Sequence, residues 1–406
     1  MLRLIEHLNR LTPWSAFEEG AVLPKLSILM VPEFFFPYYG GAETWTYNLA
    51  KKLVQRGHRV EVFTYKMPDA TKDEVIDGIY VHRIGGPLIV SGWQPYFRRF
   101  LIHFSSLLWN LIKKKDYDII LGQYLPLIPA WLVSKAKKIP IVVVIHNVYG
   151  LRFSLQEKGL LKGLTRYIFI DFVALKLPYN AVVTVSHSVK EKLINAGISE
   201  NKIHIIQGGV NLEEFEAVSK EKSIFPQICF IGRLIKSKNV DDLLRAFKIV
   251  QKRISNAKLI IIGDGELRYS LERLVEKLRL SKHVTFTGYL SGKKKIEILK
   301  SSHLLALPST AEGWGTVLGE AAACRVPSVA YGIPALKEHL SIIKSGVLTP
   351  PKDIDALASS ITRLLEDQRL REKLGTEGFS NIKKHFNWDS PAQKLEKLLE
   401  KLVKER

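Results

Sequence analysis

The chain contains little sulfur. Its 406 residues include two cysteines and three methionines. The cysteines, Cys229 and Cys324, lie far apart in apolar stretches, which is typical of reduced core residues and excludes a scaffold held by disulfides. A chain of this length buries enough surface to be stable without such bonds.

Long apolar runs are also missing. No uncharged run reaches the roughly 18–20 residues that a bilayer-spanning helix needs, and the longest candidate, Phe100 to Ile112, is too short. The first 24 residues mix charged and apolar side chains and show no apolar segment typical of a secretory signal. We therefore expect a cytoplasmic protein, with peripheral attachment to the cytoplasmic face of a membrane as the open alternative.

Acidic residues are outnumbered by basic ones. Lysine and arginine total 60 against 40 aspartates and glutamates, for a formal net charge of +20. Such an excess indicates an anionic partner: nucleic acid, acidic lipid headgroups or phosphorylated small molecules. Charge alone does not choose among them.

Short apolar runs alternate with amphipathic helical patterns from end to end, which predicts an α/β protein with parallel sheets. A polar segment, Asn211 to Ser223, interrupts the alternation once. We therefore predict two Rossmann-like, doubly wound domains that face each other across a cleft. The predicted division is an N-terminal extension at 1–24, an acceptor domain at 25–214, a linker at 215–224, a donor domain at 225–385 and a C-terminal helix at 386–406 that packs back on the first domain.

Ligands of doubly wound sheets bind beyond the carboxyl ends of the strands, so the loops there carry the candidate site. Gly40 and Gly41 stand where the first strand passes into a helix. Glycines at a helix entry let free N–H groups approach a phosphate, although an ordinary tight turn explains them equally well.

Two cations follow the first strand of the second half, Arg233 and Lys238. At the carboxyl end of a sheet they can flank a diphosphate; the alternative is a solvated basic loop. The segment Gly263 to Glu266 contains neither GxGxxG nor GxxxxGK[ST], which favours a structural turn.

The most specific segment is PSTAEGWGTVLGEA at 308–321. Glu312 lies in a glycine-rich loop, and Glu320 lies in the helix that follows. Carboxylates accept paired hydrogen bonds from neighbouring hydroxyls, so one can hold a sugar and the other a ribose. Exposed backbone N–H groups between them suit a diphosphate.

His146 follows a predicted strand in the sequence Ile145-His146-Asn147. A histidine at the end of a parallel strand points towards the cleft, where it can bond a sugar hydroxyl or a transition-state oxygen. A helix-capping or packing role is the alternative.

With these segments together, the chain resembles glycosyltransferase family 4, whose members have the GT-B fold. The matching pieces cover nearly the whole chain in family order: GGAE at 40–43, IHN at 145–147, VSHS at 185–188, GGVN at 208–211, GRLIKSKN at 232–239, GDGE at 263–266, FTGYLS at 286–291, PSTAEGWGTVLGEAAA at 308–323 and LTPPKD at 348–353.

The resemblance implies a retaining hexosyltransferase that uses a UDP- or GDP-sugar and needs neither cofactor nor metal. Arg233 and Lys238 would hold the diphosphate, and His146 would face the sugar. Glu312 would hold the donor sugar and Glu320 the ribose. The remaining residues that the resemblance implies in donor binding are Gly40, Gly41, Gly313, Trp314, Gly315, Thr316 and Val317, with the backbone of Tyr289 and Leu290 reading the base.

Two positions depart from the family pattern. Trp314 replaces the usual aromatic residue of the EGFG-type string, a mild change. Arg325 stands where the family has a glycine after the helix. A glycine there would relieve a left-handed helix stop, so the local turn is in question, and Arg325 is expected either to reach the donor cleft or to be inert.

The acceptor is expected to be a glycan or a lipid-linked molecule at a membrane surface. The segment Trp93 to Lys115 has apolar residues at i, i+3, i+4, i+7 spacing with basic residues at both ends. A second segment, Lys158 to Lys176, mixes basic and aromatic residues. Such helices dock on anionic lipid, but a stripe of this kind is also what the core-facing side of a Rossmann helix shows.

Two other functions remain open at this point. A nucleotide-sugar epimerase shares the two-domain cleft but lacks the string around Glu312. A nucleic-acid-binding protein would rest on net charge alone, without zinc-ligand spacing or a basic–aromatic repeat, so no nucleic-acid partner is expected.

Overall fold

The computed structural model describes residues 25–38, 40–66, 70–84, 117–123, 127–158 and 167–406, with the single positions 104, 108 and 164. The predicted N-terminal extension at 1–24 lies outside these residues. So does most of the segment Trp93 to Lys115 and part of Lys158 to Lys176. Among the helices of the described residues, none combines the length and apolarity needed to cross a membrane.

The first domain is built on a sheet in the order β3-β4-β2-β1-β5-β6-β7-β8, parallel except for the β3–β4 pair. Its central strands are runs of Ile and Val that are buried on both faces, as expected of a sheet covered by helices on each side. The strands are β1 (Ser27–Val31), β2 (Arg59–Tyr65), β3 (Asp73–Ile76), β4 (Ile79–Ile84), β5 (Ile119–Gln123), β6 (Ile141–Ile145), β7 (Ala181–Thr184) and β8 (Ile203–Ile205).

Helices connect these strands and cover the sheet. In the first of them, Trp45, Leu49 and Leu53 recur every four residues and are buried against the strands. The helical elements are α1 (Gly41–Gln55), α2 (Leu127–Lys137), α3 (Gly150–Lys158), a π-helical segment (Tyr167–Ala174), α4 (His187–Asn195), a 3₁₀ turn (Glu200–Lys202) and α5 (Leu212–Glu216).

The second domain has a parallel sheet in the order β11-β10-β9-β12-β13-β14, which is the strand order of a Rossmann fold. Its strands are β9 (Gln227–Ile231), β10 (Lys258–Ile262), β11 (Val284–Gly288), β12 (Leu304–Leu307), β13 (Ser328–Tyr331) and β14 (Gly346–Thr349). Its helices are α6 (Val240–Arg253), α7 (Arg268–Lys277), α8 (Gly292–Ser301), α9 (Thr316–Ala323), α10 (Pro334–Ile343), α11 (Ile354–Glu366) and α12 (Gln368–His385).

The predicted architecture of two Rossmann-like domains is confirmed. In each sheet the direction of winding reverses beside the first strand, between β1 and β5 and between β9 and β12. Crevices that bind ligands form at such reversals, beyond the carboxyl ends of the strands. The loops after β1, β9 and β12 therefore lie where a ligand is expected.

The last helix, α13 (Asp389–Lys404), packs against α1 of the first domain. Trp388, just before it, is buried, and its ring lies close to Gly208. Further along, Glu396 accepts a hydrogen bond from Arg56 Nε at 2.7 Å and pairs with His58 Nε2 at 2.9 Å. This buried carboxylate fastens the C-terminal helix to the first domain.

Replacing Glu396 by alanine is expected to lower the free energy of unfolding by about 2 kcal/mol, because the partly buried Arg56 loses its partner. Burial raises the pKa of Glu396, but its bonds with Arg56 and His58 outweigh this and the net pKa is lowered. The stabilisation by Glu396 is therefore fully present above its pKa in the unfolded chain, about 4.3, and is lost as the pH falls through its lower pKa in the folded protein.

Urea unfolding at pH 7 and at acid pH measures this contribution. Glu366→Ala is the matched control, because Glu366 forms an exposed ion pair with Arg253 and such pairs contribute roughly 0–1 kcal/mol. Equal stability of the two variants at pH 7 would contradict the role given to Glu396.

Candidate active site

The loop between β12 and α9 holds Glu312 against a lysine from the neighbouring loop. Lys238 Nζ donates a hydrogen bond to the Glu312 carboxylate. The two side chains are 15% and 13% exposed, so the pair is largely shielded from water and electrostatically strong. The structure thus brings together two residues that the sequence analysis placed at the donor.

Asn239 fastens the Lys238 loop to the Glu312 loop. It has a left-handed backbone, with φ of 47°, and its Nδ2 donates to Pro308 O at 2.9 Å and to Thr310 Oγ1 at 3.0 Å. The Thr310 N–H donates in return to Ser237 O at 2.9 Å. Asn239 was not among the predicted site residues, although an asparagine at a helix entry is a recognisable turn signal.

Arg233 follows β9 and faces the glycine loop of the first domain. Burial raises the pKa values of both Tyr38 and Glu43, and the charge of Arg233 lowers them in part. Glu43 belongs to the first turn of α1, two residues after Gly41. A cation of the second domain therefore lies within electrostatic reach of the first domain's helix entry.

The N-terminus of α9 opens on the same space. Gly315 precedes it with a φ of 77°, a conformation that favours glycine, so that Thr316 and Val317 form its first turn. A methyl group on Gly41 would lie 3.3 Å from Thr316 Oγ1. The free N–H groups and positive end of α9 therefore face Gly41 across the cleft, an arrangement that suits a phosphate.

At Gly313 the backbones of the two domains approach each other closely. A methyl group placed on it would overlap the carbonyl oxygen of His146. The Gly313 carbonyl also accepts a hydrogen bond from Ser186 Oγ at 2.8 Å. The glycine is required here for close approach of two backbones, which sequence alone did not reveal.

His146 lies at the end of β6 beside this contact. Its ring packs edge-on against Trp45, with centroids 5.4 Å apart, and burial lowers its pKa to about 4. The imidazole is therefore neutral near neutral pH. It can donate or accept a hydrogen bond there but carries no charge.

The Trp314 side chain is buried beneath the loop between β12 and α9. It stacks on His339 with centroids 4.1 Å apart and packs on Phe386. The His339 ring nitrogen Nδ1 bonds the Trp314 carbonyl at 3.0 Å. Only the backbone of Trp314 is thus available to a ligand, and His339 is a supporting residue that the sequence analysis missed.

Glu320 lies one helix turn further into α9, where its carboxylate pairs with Lys295 Nζ at 2.8 Å. Tyr289 and Leu290 follow β11 at the edge of the sheet; the Tyr289 side chain is half exposed, and Leu290 packs against the core. These residues occupy the same carboxyl-end face as Glu312.

The segment Gly263 to Glu266 is explained by packing. A methyl group on Gly263 would overlap the carbonyl oxygen of Gly232, and one on Gly265 would lie 2.5 Å from Leu234 O. The two glycines let the loop after β10 lie against the loop that carries Arg233. This agrees with the structural turn expected there.

Arg325 does adopt the left-handed conformation in which the family has glycine, with a φ of 55°. Its guanidinium lies 4.0 Å above the Phe379 ring of α12. This end of the eight-residue α9 is about 12 Å from its N-terminus. The reach into the donor cleft that we considered is therefore wrong, because the side chain is held by α12.

A cluster of potential metal ligands lies elsewhere. Atoms of His58, Glu396 and Glu400 lie within 4.8 Å of one another, at the contact of α13 with the first domain. Since Arg56 already neutralises Glu396, this cluster is better understood as part of the attachment of the last helix.

Two family models match consecutive parts of the chain. The model described as Glycosyltransferase Family 4 matches residues 39–214, and the one described as Glycosyl transferases group 1 matches residues 212–381. The chain belongs to glycosyltransferase family 4. This assignment favours a transferase over the epimerase and nucleic-acid-binding alternatives.

Relatives of this glycosyltransferase cover nearly its whole length. An uncharacterised glycosyltransferase of Methanocaldococcus jannaschii is 27% identical over 87% of this chain and 92% of its own. The gpi3 subunit of phosphatidylinositol N-acetylglucosaminyltransferase from Schizosaccharomyces pombe is 26% identical over 93% of this chain and 81% of its own.

Solved structures confirm the GT-B fold of this glycosyltransferase. Sucrose-phosphate synthase of Thermosynechococcus elongatus superposes with a TM-score of 0.80 at 21% identity, covering 94% of this chain and all of the other. The HepE protein of Anabaena, in complex with UDP-glucose, gives a TM-score of 0.72 at 19% identity, covering 93% of this chain and all of the other.

Proposed function

We propose that this glycosyltransferase moves a hexose-type sugar from a UDP- or GDP-sugar to a glycan or lipid-linked acceptor, with retention of configuration at the anomeric carbon. The observation that carries the proposal is the Lys238–Glu312 pair beside the N-terminus of α9. It places a cation, a carboxylate and free N–H groups at one point of the cleft.

The diphosphate would lie between Arg233, Lys238 and the first turn of α9. Lys238 donates a hydrogen bond to the Glu312 carboxylate. A bound donor would redistribute these contacts, with phosphate oxygens taking the ammonium and sugar hydroxyls taking the carboxylate. The glycine-rich backbone at 313–315 would complete the sugar site, Glu320 would hold the ribose, and the backbone of Tyr289 and Leu290 would read the base.

In the transfer step, the acceptor oxygen forms a bond to the anomeric carbon as the bond from that carbon to the diphosphate breaks. The acceptor proton passes to the departing phosphate oxygen on the same face, so no protein base is assigned. Arg233, Lys238 and the dipole of α9 stabilise the charge that develops on the diphosphate. The neutral His146 can hydrogen-bond a sugar hydroxyl.

The acceptor would lie on the first domain, and we favour one at an anionic membrane surface, with the protein peripheral on the cytoplasmic face. The Schizosaccharomyces pombe relative carries phosphatidylinositol in its name. The net charge of +20 is of the sign that anionic lipid attracts. In the described part of the second basic–aromatic segment, Ile168 and Phe172 are exposed, and Lys176 Nζ lies 4.4 Å from the Phe172 ring centre.

Retention without a metal is the first expected result. Nucleotide sugars are screened by thermal stabilisation, and the best donor is incubated with lipid and oligosaccharide acceptors. We expect NMR of the product to show the donor's anomeric configuration and a chelator to leave the rate unchanged, because Arg233, Lys238 and α9 supply the positive charge. An inverted product, or activity that only a divalent metal restores, would contradict this.

Membrane attachment is tested by flotation with vesicles. We expect the protein to float with vesicles containing anionic lipid at low salt and to be released by salt, because exposed charges are screened. Neutral vesicles are the control. A protein that stays unbound in all of these conditions would indicate a soluble acceptor instead.

A further inference from the structure

Glu338 of α10 crosses the cleft to the first domain. Its Oε1 accepts a hydrogen bond from the His187 N–H at 2.9 Å, and its Oε2 accepts one from the Ser188 N–H at 3.1 Å. Oε1 also lies 2.9 Å from His187 Nδ1. A carboxylate of the donor domain thus caps the N-terminus of α4, where negative charge is favoured by the helix dipole.

The same end of α4 is also bound by the loop between β12 and α9, residues 308–315, which we call the donor loop. Ser186, which precedes α4, accepts a hydrogen bond from the Val189 N–H at 3.2 Å and donates one to the Gly313 carbonyl at 2.8 Å. Gly313 in turn lies against the His146 carbonyl. Two separate segments of the donor domain, the loop and α10, therefore meet one helix end of the acceptor domain.

These two segments are joined to each other. His339, the residue after Glu338, stacks on Trp314 and bonds its carbonyl at 3.0 Å. A shift of the 313–315 backbone would therefore be transmitted to α10, and a shift of α10 would move the carboxylate on α4. The donor loop, α10 and α4 are therefore joined by direct contacts, and a movement of one is expected to move the others.

We propose that Glu338 is a positioning residue for transfer: by capping α4 it holds the acceptor domain closed on the donor loop. The proposal rests on the function proposed above. Glu338 touches neither donor nor reacting atoms in this role. Its expected influence is on the rate of transfer from the bound donor rather than on donor affinity, because Arg233, Lys238 and Glu312 are unaffected.

The variants Glu338→Ala and Glu338→Gln test this, with Glu366→Ala as the control. Glu366 is also a carboxylate of the donor domain, but its partner, the exposed Arg253, lies in the same domain. We expect Glu338→Ala to lower kcat about tenfold and to leave the donor Kd within twofold. Glu338→Gln should fall between, since its amide oxygen still accepts one N–H. The control should match the wild type.

Hydrogen exchange of the ligand-free protein gives a second readout that needs no substrate. The amides of His187 and Ser188 should exchange faster in Glu338→Ala, and X-ray scattering should show a larger radius of gyration. The His187 side chain is 71% exposed, so His187→Ala should weaken closure only slightly. It should add little in combination with Glu338→Ala, because both variants remove the contact between His187 Nδ1 and Glu338 Oε1.

Unchanged kcat, exchange and radius in Glu338→Ala would overturn the proposal. So would a loss of donor affinity with unchanged amide exchange, because that pattern indicates damage within the donor domain. If the wild-type protein transfers no sugar from any donor, the proposed function fails. Exchange and scattering still decide in that case whether Glu338 holds the domains together.

Discussion

Replacing Glu312 by alanine is expected to lower kcat by about 10²–10³-fold, the range found when one preorganised transition-state contact is removed. The carboxylate is largely buried beside Lys238 and would bond donor hydroxyls as positive charge develops on the sugar. Because such contacts strengthen in the transition state, their loss reduces turnover more than donor binding. Single-turnover kinetics with a saturating donor measures the effect.

Two further variants test whether the effect is specific to Glu312. Glu297→Ala is the control, since Glu297 lies 4.0 Å from the exposed Lys293 on α8 of the same domain and should leave kcat unchanged. Lys238→Ala should weaken donor binding as well as turnover, because it removes charge from the diphosphate site. Near-wild-type turnover in Glu312→Ala, with the protein folded, would refute the assignment of the donor sugar to this carboxylate.

Gly313→Ala is expected to reduce kcat by a comparable factor through a purely steric route. The added methyl group would overlap the His146 carbonyl, and its next neighbour is Val185 Cγ2 at 3.5 Å. All of these atoms belong to the first domain, so the clash is relieved by separating the domains. Donor affinity and the stability of the second domain should therefore change little while transfer is lost.

Gly41→Ala, in the first domain, serves as a milder steric variant for comparison with Gly313→Ala. Its methyl group would lie 3.3 Å from Thr316 Oγ1, a contact that a small shift of one side chain accommodates. We expect a much smaller loss of kcat and no change in the radius of gyration. If Gly313→Ala retained wild-type turnover and an unchanged radius, the close approach at His146 would have no part in closing the cleft.

The secondary structure was largely predictable because most strands are short Ile- and Val-rich runs between helical patterns. Two strands are exceptions, because their local signals are weak. β3 is the polar tetrapeptide Asp73–Ile76 at a sheet edge, and β14 is the four-residue segment Gly346–Thr349. Each is a strand chiefly because a neighbour pairs with it.

Candidate site residues could be predicted from the sequence where the residue type alone indicates what it can bind. Glu312 and Lys238 were chosen as a carboxylate and a cation at strand ends, and they meet in space. The supporting residues were not found, because their roles depend on contacts distant in sequence. Nothing near Trp314 in the sequence indicates that Phe386 covers it, and nothing near Glu338 points to α4, 150 residues earlier.

The return of α13 to the first domain has a consequence for recombining parts of this enzyme. The chain leaves the first domain near α5 and comes back at Trp388, so the second domain is topologically an insert within the first. A single crossover after residue 211 would separate Glu396 from Arg56 and His58. Chimeras that exchange the proposed donor domain should therefore transplant residues 212–385 as one segment with two junctions, so that the C-terminal helix stays with the first domain of its own chain.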